Sequence, residues 1–240
     1  MKQLLVVFFL LYSSLVFTQS YVDLGIRHFA VGEYDEAMID FKNAEEIVSM
    51  ITESSKAKLY YYRGMIWLKK AQKSSGKFAE EDPLQLSYQD LTKVTYLDKS
   101  WKPHIEEAYD ILYSLIAKEA DLYLKLEKKE DELNSKLTLL DARINYLEMA
   151  KDLEVSSMPV LYLGQTNKQA GDLIFDNSSD LIELQKARKY YEKSLEYYEV
   201  ARYDDPFSKE IIEDLLTIAK RLGDADRIKE YEKLLQLAGG

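Results

Sequence analysis

Beyond residue 20, apolar residues recur at intervals of three and four along almost the whole chain. This spacing is that of amphipathic helices with one face turned to a core, and no sustained alternation typical of strands interrupts it. Clusters of Asp, Ser, Asn, Pro and Gly separate the apolar stretches, as helix caps and stops require. The pattern therefore predicts an all-α protein built from helices and turns.

One stretch, LGIRHFAVGEYDEAMIDFKNA, shows how two such helices would pack. Gly25 lies in the first helix, Gly32 at the turn, and Ala37, Phe41 and Ala44 form one stripe of the second helix. Small residues at Gly25 and Ala37 would let the two backbones approach closely, and Phe41 would fill the space beneath the crossing. Gly32 would end the first helix. The stretch therefore predicts a helical hairpin.

The same spacing returns twice along the chain. The first-helix positions recur at Tyr60, Gly64, Trp67 and Ala71, and again at Leu163, Gly164, Asn167 and Gly171. The second-helix positions recur at Ser87, Leu91 and Val94, and again at Ser194, Tyr198 and Ala201. The two helices of each later pair stand further apart in sequence, and the segment KSSGKFAEEDP has the composition of an enlarged loop. The recurrence predicts repeated helical hairpins with long insertions between their helices.

These residues resemble the tetratricopeptide repeat, a helix–turn–helix unit of about 34 residues. The resemblance implies a right-handed solenoid of antiparallel helical hairpins that forms a single domain over 19–240. The expected parts are repeats at 21–49, 60–99 and 160–206, a long helical hairpin at 103–154, and C-terminal capping helices at 208–237. For the hairpin, a stretched repeat, a plain pair of helices and a short coiled coil are all open alternatives.

In this family the first helices line a concave groove that commonly receives an extended peptide or a partner helix. The resemblance gives groove positions at Val22, Ile26, Phe29, Lys58, Tyr61, Met65, Leu68, Leu161, Gln165 and Lys168. The first seven of these are largely apolar, which suits adaptable binding, but such a stripe is also typical of core, and the insertions could cover it. A carboxylate-gripping groove is not expected, because that subtype uses Asn where this chain has Ile26 and Tyr62.

The N-terminal segment MKQLLVVFFLLYSSLVFTQS has a basic start and an apolar run of signal-peptide length. We expect a signal peptide at 1–18 and a periplasmic or secreted protein. The segment resembles export signals of Bacteroidetes-type bacteria. Because Thr18 is larger than the residue preferred before a cleavage site, an uncleaved membrane anchor is the alternative.

Composition narrows the function classes. The chain has a net charge of −10 and no basic cluster, which argues against nucleic-acid binding. It has no cysteine, so disulfides, thiolate metal sites and cysteine nucleophiles are excluded. His28 and His104 lack partners at metal-ligand spacing. We expect His28 to be a packing residue and His104 to lie in the first turn of a helix.

The acidic groups at 80–82, 130–132 and 204–205 lack the spacing of a calcium loop, and helix starts are their predicted role. No Gly-rich phosphate loop is present. The sequence therefore predicts a non-catalytic, cofactor-free scaffold that binds a protein or peptide partner in the cell envelope. The alternatives are a membrane-tethered accessory subunit of an envelope assembly, and a carbohydrate- or substrate-capture protein that uses groove tyrosines.

Overall fold

A computed structural model describes residues 21–73 and 82–239. These residues form an all-α structure without a strand, as the apolar spacing predicts. The helices are α1 (residues 21–31), α2 (Tyr34–Glu46), α3 (Glu53–Lys73), α4 (Pro83–Leu97), α5 (Lys102–Glu127), α6 (Leu133–Asp152), α7 (Met158–Asn177), α8 (Leu181–Ala201), α9 (Lys209–Leu222) and α10 (Ala225–Ala238). Short 3₁₀ turns lie at Val48–Met50 and Lys99–Trp101. The predicted signal peptide at 1–18 lies outside the described residues.

The helix ends follow from residues that the sequence places there. Gly32 and Gly223 adopt left-handed backbone with φ of 85° and 71°, which glycine reaches without a Cβ penalty. Asp82 caps α4 by accepting a hydrogen bond from the backbone N–H of Leu84 at 2.9 Å. Glu132 caps α6 in the same way. For these two acidic residues, the predicted role at a helix start is confirmed.

The chain divides into two compact units, the first ending at Leu115 and the second beginning at Ile116, within α5. In the first unit, Phe41 and Leu59 are fully buried in one apolar cluster. In the second unit, Tyr191 and Leu215 belong to a larger cluster. Burying one such side chain contributes roughly 1.5–3 kcal/mol relative to its exposed state. The prediction of a single domain over 19–240 stays a prediction.

Three helix pairs share one packing contact, in which a glycine of the first helix faces a large side chain of the second. A Cβ on Gly25 would lie 2.6 Å from the ring of Phe41. The matching distances are 2.9 Å from Gly64 to Leu91 and 3.1 Å from Gly164 to Tyr198. Any larger residue would force these side chains away, so the glycines set how closely the helices approach.

A hydrogen bond accompanies the contact in two of the pairs. Ser87, on α4, donates its hydroxyl to the carbonyl of Gly64 at 3.0 Å, and Ser194, on α8, donates to the carbonyl of Gly164 at 2.7 Å. The corresponding residue of α2 is Ala37, which is fully buried. A serine is nearly as small as alanine, so the same close crossing holds with the added bond. The residues that the sequence spacing aligned between the two helices of each pair are therefore the residues that contact one another in the structure.

The segment 103–154 forms two long helices, α5 and α6, as expected. Within the second unit, the ring of Tyr123 on α5 stacks on that of Tyr146 on α6 at 5.5 Å and an interplanar angle of 24°. The predicted capping helices at 208–237 correspond to α9 and α10. The right-handed sense of the predicted solenoid stays a prediction.

Candidate functional site

The predicted groove of the first unit divides into core residues and surface residues. Val22 and Leu68 are each 1% exposed. The prediction that these two side chains line a groove is wrong, because a partner docking on the surface cannot reach them. Val22 packs in the same cluster as Phe41. These two positions of the apolar stripe therefore belong to the core, which is the alternative that the sequence analysis gave for them.

The other predicted groove residues of the first unit retain partial exposure. Ile26 and Phe29 on α1, and Lys58, Tyr61 and Met65 on α3, are all half-buried. Tyr61 and Met65 lie one helical turn apart, so they share a face of α3. These residues can therefore contact another molecule while they pack against their own neighbours.

The structure joins Phe29 and Tyr61 into a continuous row of rings, which we call the aromatic stripe: Phe29, Tyr61, Tyr62, Trp101 and His104. Ring centroids are 5.1 Å apart for Phe29 and Tyr62, and 5.2 Å for Tyr61 and Tyr62. The row continues from Tyr61 to Trp101 at 4.8 Å and from Trp101 to His104 at 5.6 Å. The stripe thus runs across α1, α3, the 3₁₀ turn and the start of α5.

The rings of the stripe meet mainly edge to face. Interplanar angles are 65° for Phe29 with Tyr62, 84° for Tyr61 with Tyr62, and 82° for Tyr62 with Trp101. Such pairs are more favourable than stacked sandwiches and hold one another in place. Burial raises the pKa of the Tyr61 hydroxyl, and the neighbouring Tyr62 and Glu107 raise it further. The Tyr61 hydroxyl therefore keeps its proton at neutral pH, and the stripe presents a preorganised aromatic surface.

Charged groups fix the helices that carry the stripe. Arg63, next to Tyr62 on α3, donates from Nε to Asp90 Oδ2 at 2.7 Å and from Nη2 to Asp90 Oδ1 at 2.8 Å. It also donates from Nη2 to Glu45 Oε1 at 3.2 Å. Burial alone would lower the pKa of Arg63, but its bonds to Asp90 and Glu45 raise it overall. One guanidinium thus ties α3 to both α2 and α4.

His28 does more than the predicted packing. Its Nδ1 lies 2.7 Å from Oδ2 of Asp40, whose side chain is buried on α2. The hydrogen bond satisfies this carboxylate and joins α1 to α2. His104 lies in the first turn of α5, as predicted, and extends the aromatic stripe.

The predicted groove residues of the second unit lie in two different environments. Lys168 bonds Asp172 on its own helix at 3.0 Å and lies 3.5 Å from Asp214 on α9, so it ties helices together. Burial would lower the pKa of Lys168, but its hydrogen bond to Asp172 and the nearby carboxylates raise it overall. Leu161 and Gln165 instead line a pocket of about 460 Å³.

This second-unit pocket lies where the first half of α7 meets the end of α8 and the start of α9. Apolar side chains contribute much of the wall, among them Val160, Leu161 and Ile211. Three carboxylates at Asp204, Asp205 and Glu210 belong to the same lining and are exposed. The volume is within the usual range for sites that bind small molecules.

Sequence reasoning missed several residues of these surfaces. Tyr62 was considered for its departure from the carboxylate-gripping subtype, and its ring turned out to bridge Phe29 and Trp101. Trp101 belongs to the segment KSW, which forms a 3₁₀ turn outside any periodic helix pattern. The pocket depends on where α8 ends relative to α9, which apolar spacing does not encode. Asp204 and Asp205 were expected at a helix start, and neither caps α9, whose N-cap residue is Ser208.

In residues 21–73 and 82–239, no three His, Cys, Asp or Glu side chains come together in a group able to hold a metal ion. Within the same residues, no helix has the length and apolar character needed to cross a bilayer. Comparison with known proteins finds no family model that matches the chain and no curated protein sequence that resembles it.

Proposed function

We propose that this protein is a non-catalytic scaffold of helical repeats that binds a protein or peptide partner through the aromatic stripe of its first unit. The observation that carries the proposal is the arrangement of five half-buried or exposed rings, contributed by four elements, at centroid distances of 4.8–5.6 Å. Aromatic side chains are enriched at the centres of protein interfaces because they bury large area at low entropic cost. A rigid stripe loses little entropy when a partner docks.

The proposal includes the resemblance to tetratricopeptide repeats. Its support is the contact between a first-helix glycine and a large second-helix residue, which recurs at Gly25, Gly64 and Gly164. The serine bonds to the carbonyls of Gly64 and Gly164 occur at matching positions of the proposed repeats. In such repeats the first helices form a shared binding face, and α1, α3 and α5 contribute rings to the stripe.

The geometry of the stripe favours a peptide over a carbohydrate. A sugar stacks on the flat exposed face of a ring, whereas Tyr62 packs edge to face with both Phe29 and Tyr61. Half-buried ring edges beside the apolar side chains of Ile26 and Met65 suit the side chains of a peptide or helix. A carbohydrate-capture function is therefore the less favoured alternative.

Export is also part of the proposal, and its support is the basic start and apolar run of residues 1–18. A protein that acts in the envelope as a free scaffold would lack this segment in its mature form. A membrane-tethered accessory subunit would retain it. Sequencing the mature N-terminus separates the two, because a start at Gln19 supports cleavage and a start at Met1 supports tethering.

The binding proposal is tested by placing a photo-crosslinking amino acid at Tyr61 in cells that produce the protein. Tyr96 is the matched control, because it is a tyrosine of the same unit that is 89% exposed on α4. We expect a discrete crosslinked partner from position 61 and none from position 96. Mass spectrometry of the crosslinked product identifies the partner segment.

The affinity of that segment is then measured by calorimetry for the wild type, for the double variant Tyr61→Ser/Met65→Ser and for Tyr96→Ser. We expect the double variant to weaken binding at least about tenfold, or about 1.4 kcal/mol, while its far-ultraviolet circular dichroism is unchanged. Unchanged affinity would show that the stripe is not the binding surface. A collapse of helicity would show that Tyr61 and Met65 act as core.

A further inference from the structure

We propose that the second-unit pocket is a separate binding site for a basic side chain, arginine or lysine, presented by a partner's peptide. Its apolar wall would contact the methylene stem, and the carboxylates of Asp204, Asp205 and Glu210 would receive the charge. Long basic side chains bury an apolar stem while their charged end stays near polar groups. This site stands independently of the aromatic stripe, because different residues of a different unit form it.

The first argument is that the side-chain carboxylates of Asp204 and Asp205 accept no hydrogen bond from the described chain, although their backbone groups bond to Ala201 and Ser208. Elsewhere in the second unit, carboxylates before helices act as caps: Asp180 accepts from the backbone of Ile182 at 2.8 Å, and Asp224 accepts from Arg227 at 3.1 Å. The pair at 204–205 follows α8 and precedes α9 by several residues, and α9 has no side-chain cap. The two carboxylates are thus exposed beside the pocket without a capping role.

The second argument concerns the basic residues close by, which already have acidic partners. Arg202 donates to Glu199 at 2.8 Å, Lys209 lies 3.7 Å from Glu213, and Lys168 pairs with Asp172 at 3.0 Å. Within the described chain, Asp204, Asp205 and Glu210 form no ion pair with a basic side chain. Among the described residues, the lining holds three acidic groups and no basic one, so its uncompensated negative charge suits a cation.

The third argument is the apolar surface that surrounds these carboxylates. Met158, Val200 and Tyr203 belong to the lining and are exposed by 43%, 51% and 85%. Adjoining exposed apolar side chains at one place mark interaction surfaces more often than scattered ones do. The ring of Tyr203 can also attract a cation through its face. An anion would meet repulsion here, and a neutral sugar would gain nothing from the net charge.

The test uses two synthetic peptides of defined composition, acetyl-Ala-Leu-Arg-Leu-Ala-amide and the same peptide with citrulline in place of arginine. Citrulline has nearly the same shape and no charge. The full chain, with labelled methyl groups, is titrated with each peptide and followed by nuclear magnetic resonance. We expect the arginine peptide to shift the methyl resonances of Met158, Leu161 and Val200, and the citrulline peptide to bind at least tenfold more weakly.

Matched variants give an independent measure. The triple variant Asp204→Asn/Asp205→Asn/Glu210→Gln, called the rim variant, removes the three charges of the pocket and should weaken binding of the arginine peptide at least tenfold. The control removes three exposed charges of the same unit outside the pocket, with Glu192→Gln, Asp226→Asn and Glu232→Gln, and should leave affinity within twofold. Raising the salt concentration should weaken the wild type more than the rim variant, because exposed charges are screened.

Several outcomes would overturn this proposal. If the citrulline peptide bound as tightly as the arginine peptide, the positive charge would have no role in binding. If both triple variants lost the same affinity, the effect would come from the net charge of the protein and not from the pocket. No shift of the three methyl resonances at millimolar peptide would show that the pocket does not bind such a chain. Shifts with the disaccharide chitobiose but not with the arginine peptide would assign the pocket to carbohydrate. The peptide pair tests the proposal without any variant, so a folding defect in a variant leaves it decidable.

Discussion

The two units join their helices with different polar contacts. In the first unit the links to buried carboxylates come from basic side chains, Arg63 to Asp90 and His28 to Asp40. In the second unit, five tyrosine hydroxyls donate to carboxylates of other helices: Tyr190 to Asp141, Tyr191 to Asp172, Tyr197 to Glu148, Tyr198 to Asp214 and Tyr231 to Glu199. Helix α8 contributes four of these tyrosines and so links α6, α7 and α9.

This difference teaches how one kind of helix packing can be stabilised by two kinds of polar link. A guanidinium carries its charge into the helix interface and needs carboxylates there to offset the loss of solvation. A tyrosine brings an apolar ring, whose burial is favourable, and a neutral hydroxyl that needs only one acceptor. The first unit should therefore be more sensitive to the loss of one partner, and the second more sensitive to alkaline pH.

The largest effect is expected from Arg63→Met. The change removes both guanidinium bonds from Asp90, which is 3% exposed, and leaves it only Lys93, whose Nζ lies 3.7 Å from Oδ1. Removing one member of a buried ion pair costs about 3–5 kcal/mol, mainly because the remaining charge is unpaired. Trp67 and Trp101 are the two tryptophans of the sequence and both lie in the first unit. Urea unfolding followed by their fluorescence measures the loss in that unit.

The double variant Arg63→Met/Asp90→Leu is the matched control for this prediction. It removes both charges, so most of the stability lost in the single variant should return. If the single variant were as stable as the wild type, the charged pair would not be what holds α3 to α4. If the double variant were no better than the single one, the packing of the side-chain stem would account for the loss.

The next effect concerns packing that both units share. Ala37 is fully buried at the first crossing, where the later pairs have serine. Ala37→Leu should overpack this crossing and lower the free energy of unfolding by about 1–3 kcal/mol. Thermal unfolding measures it, with Ile39→Leu as the control because Ile39 is 61% exposed on the same helix. An unchanged melting temperature for Ala37→Leu would contradict the assigned register.

The loss of stability at alkaline pH should be larger in the second unit than in the first. Burial raises the pKa of Tyr198, and the carboxylate of Asp214 raises it further. The folded chain therefore keeps this proton at pH values where the unfolded chain has lost it, so stability is full below about pH 10 and falls above it. Tyr198→Phe should make this fall shallower by about 1.4 kcal/mol per pH unit.

Urea unfolding at several pH values between 9 and 11.5, followed by circular dichroism, gives the slope for each variant. Tyr96→Phe is the control, because its ring is 89% exposed and its removal should leave the slope unchanged. Hydrogen exchange above pH 10 should show faster opening in α8 than in α3. A slope that is identical in wild type and Tyr198→Phe would show that this hydroxyl is not protected by folding.

The sequence allowed the packing of the helices to be predicted better than the surfaces that they present. Gly25, Phe41 and Ser194 were placed correctly because side-chain size and local spacing determine which residues fit at a crossing. Val22 and Leu68 were misplaced because helical spacing identifies the apolar face but not which part of it a neighbouring helix covers. The partners of the tyrosines were not predicted, since each carboxylate comes from another helix and its position depends on the packed structure.

The smallest effect is expected from Arg143→Met, the counterpart in the second unit of Arg63→Met. Arg143 is 4% exposed on α6, and Nη1 donates to the hydroxyl of Thr166 at 2.7 Å, while Nε has no hydrogen-bond partner within the described chain. Burial lowers the pKa of Arg143 against the opposing influence of Asp121, Tyr162 and Glu127.

Thr166 keeps its own bond to the carbonyl of Tyr162 after the substitution, so no buried hydroxyl is left unpaired. Replacing a poorly paired buried charge with an apolar side chain of similar volume is often neutral or stabilising. We therefore expect Arg143→Met to leave the free energy of unfolding within about 1 kcal/mol of the wild type. Urea unfolding of Arg143→Met and Arg63→Met under one set of conditions makes the comparison direct. Similar large losses in both would show that the two buried guanidinium groups have the same role, and the proposed difference between the units would then be wrong.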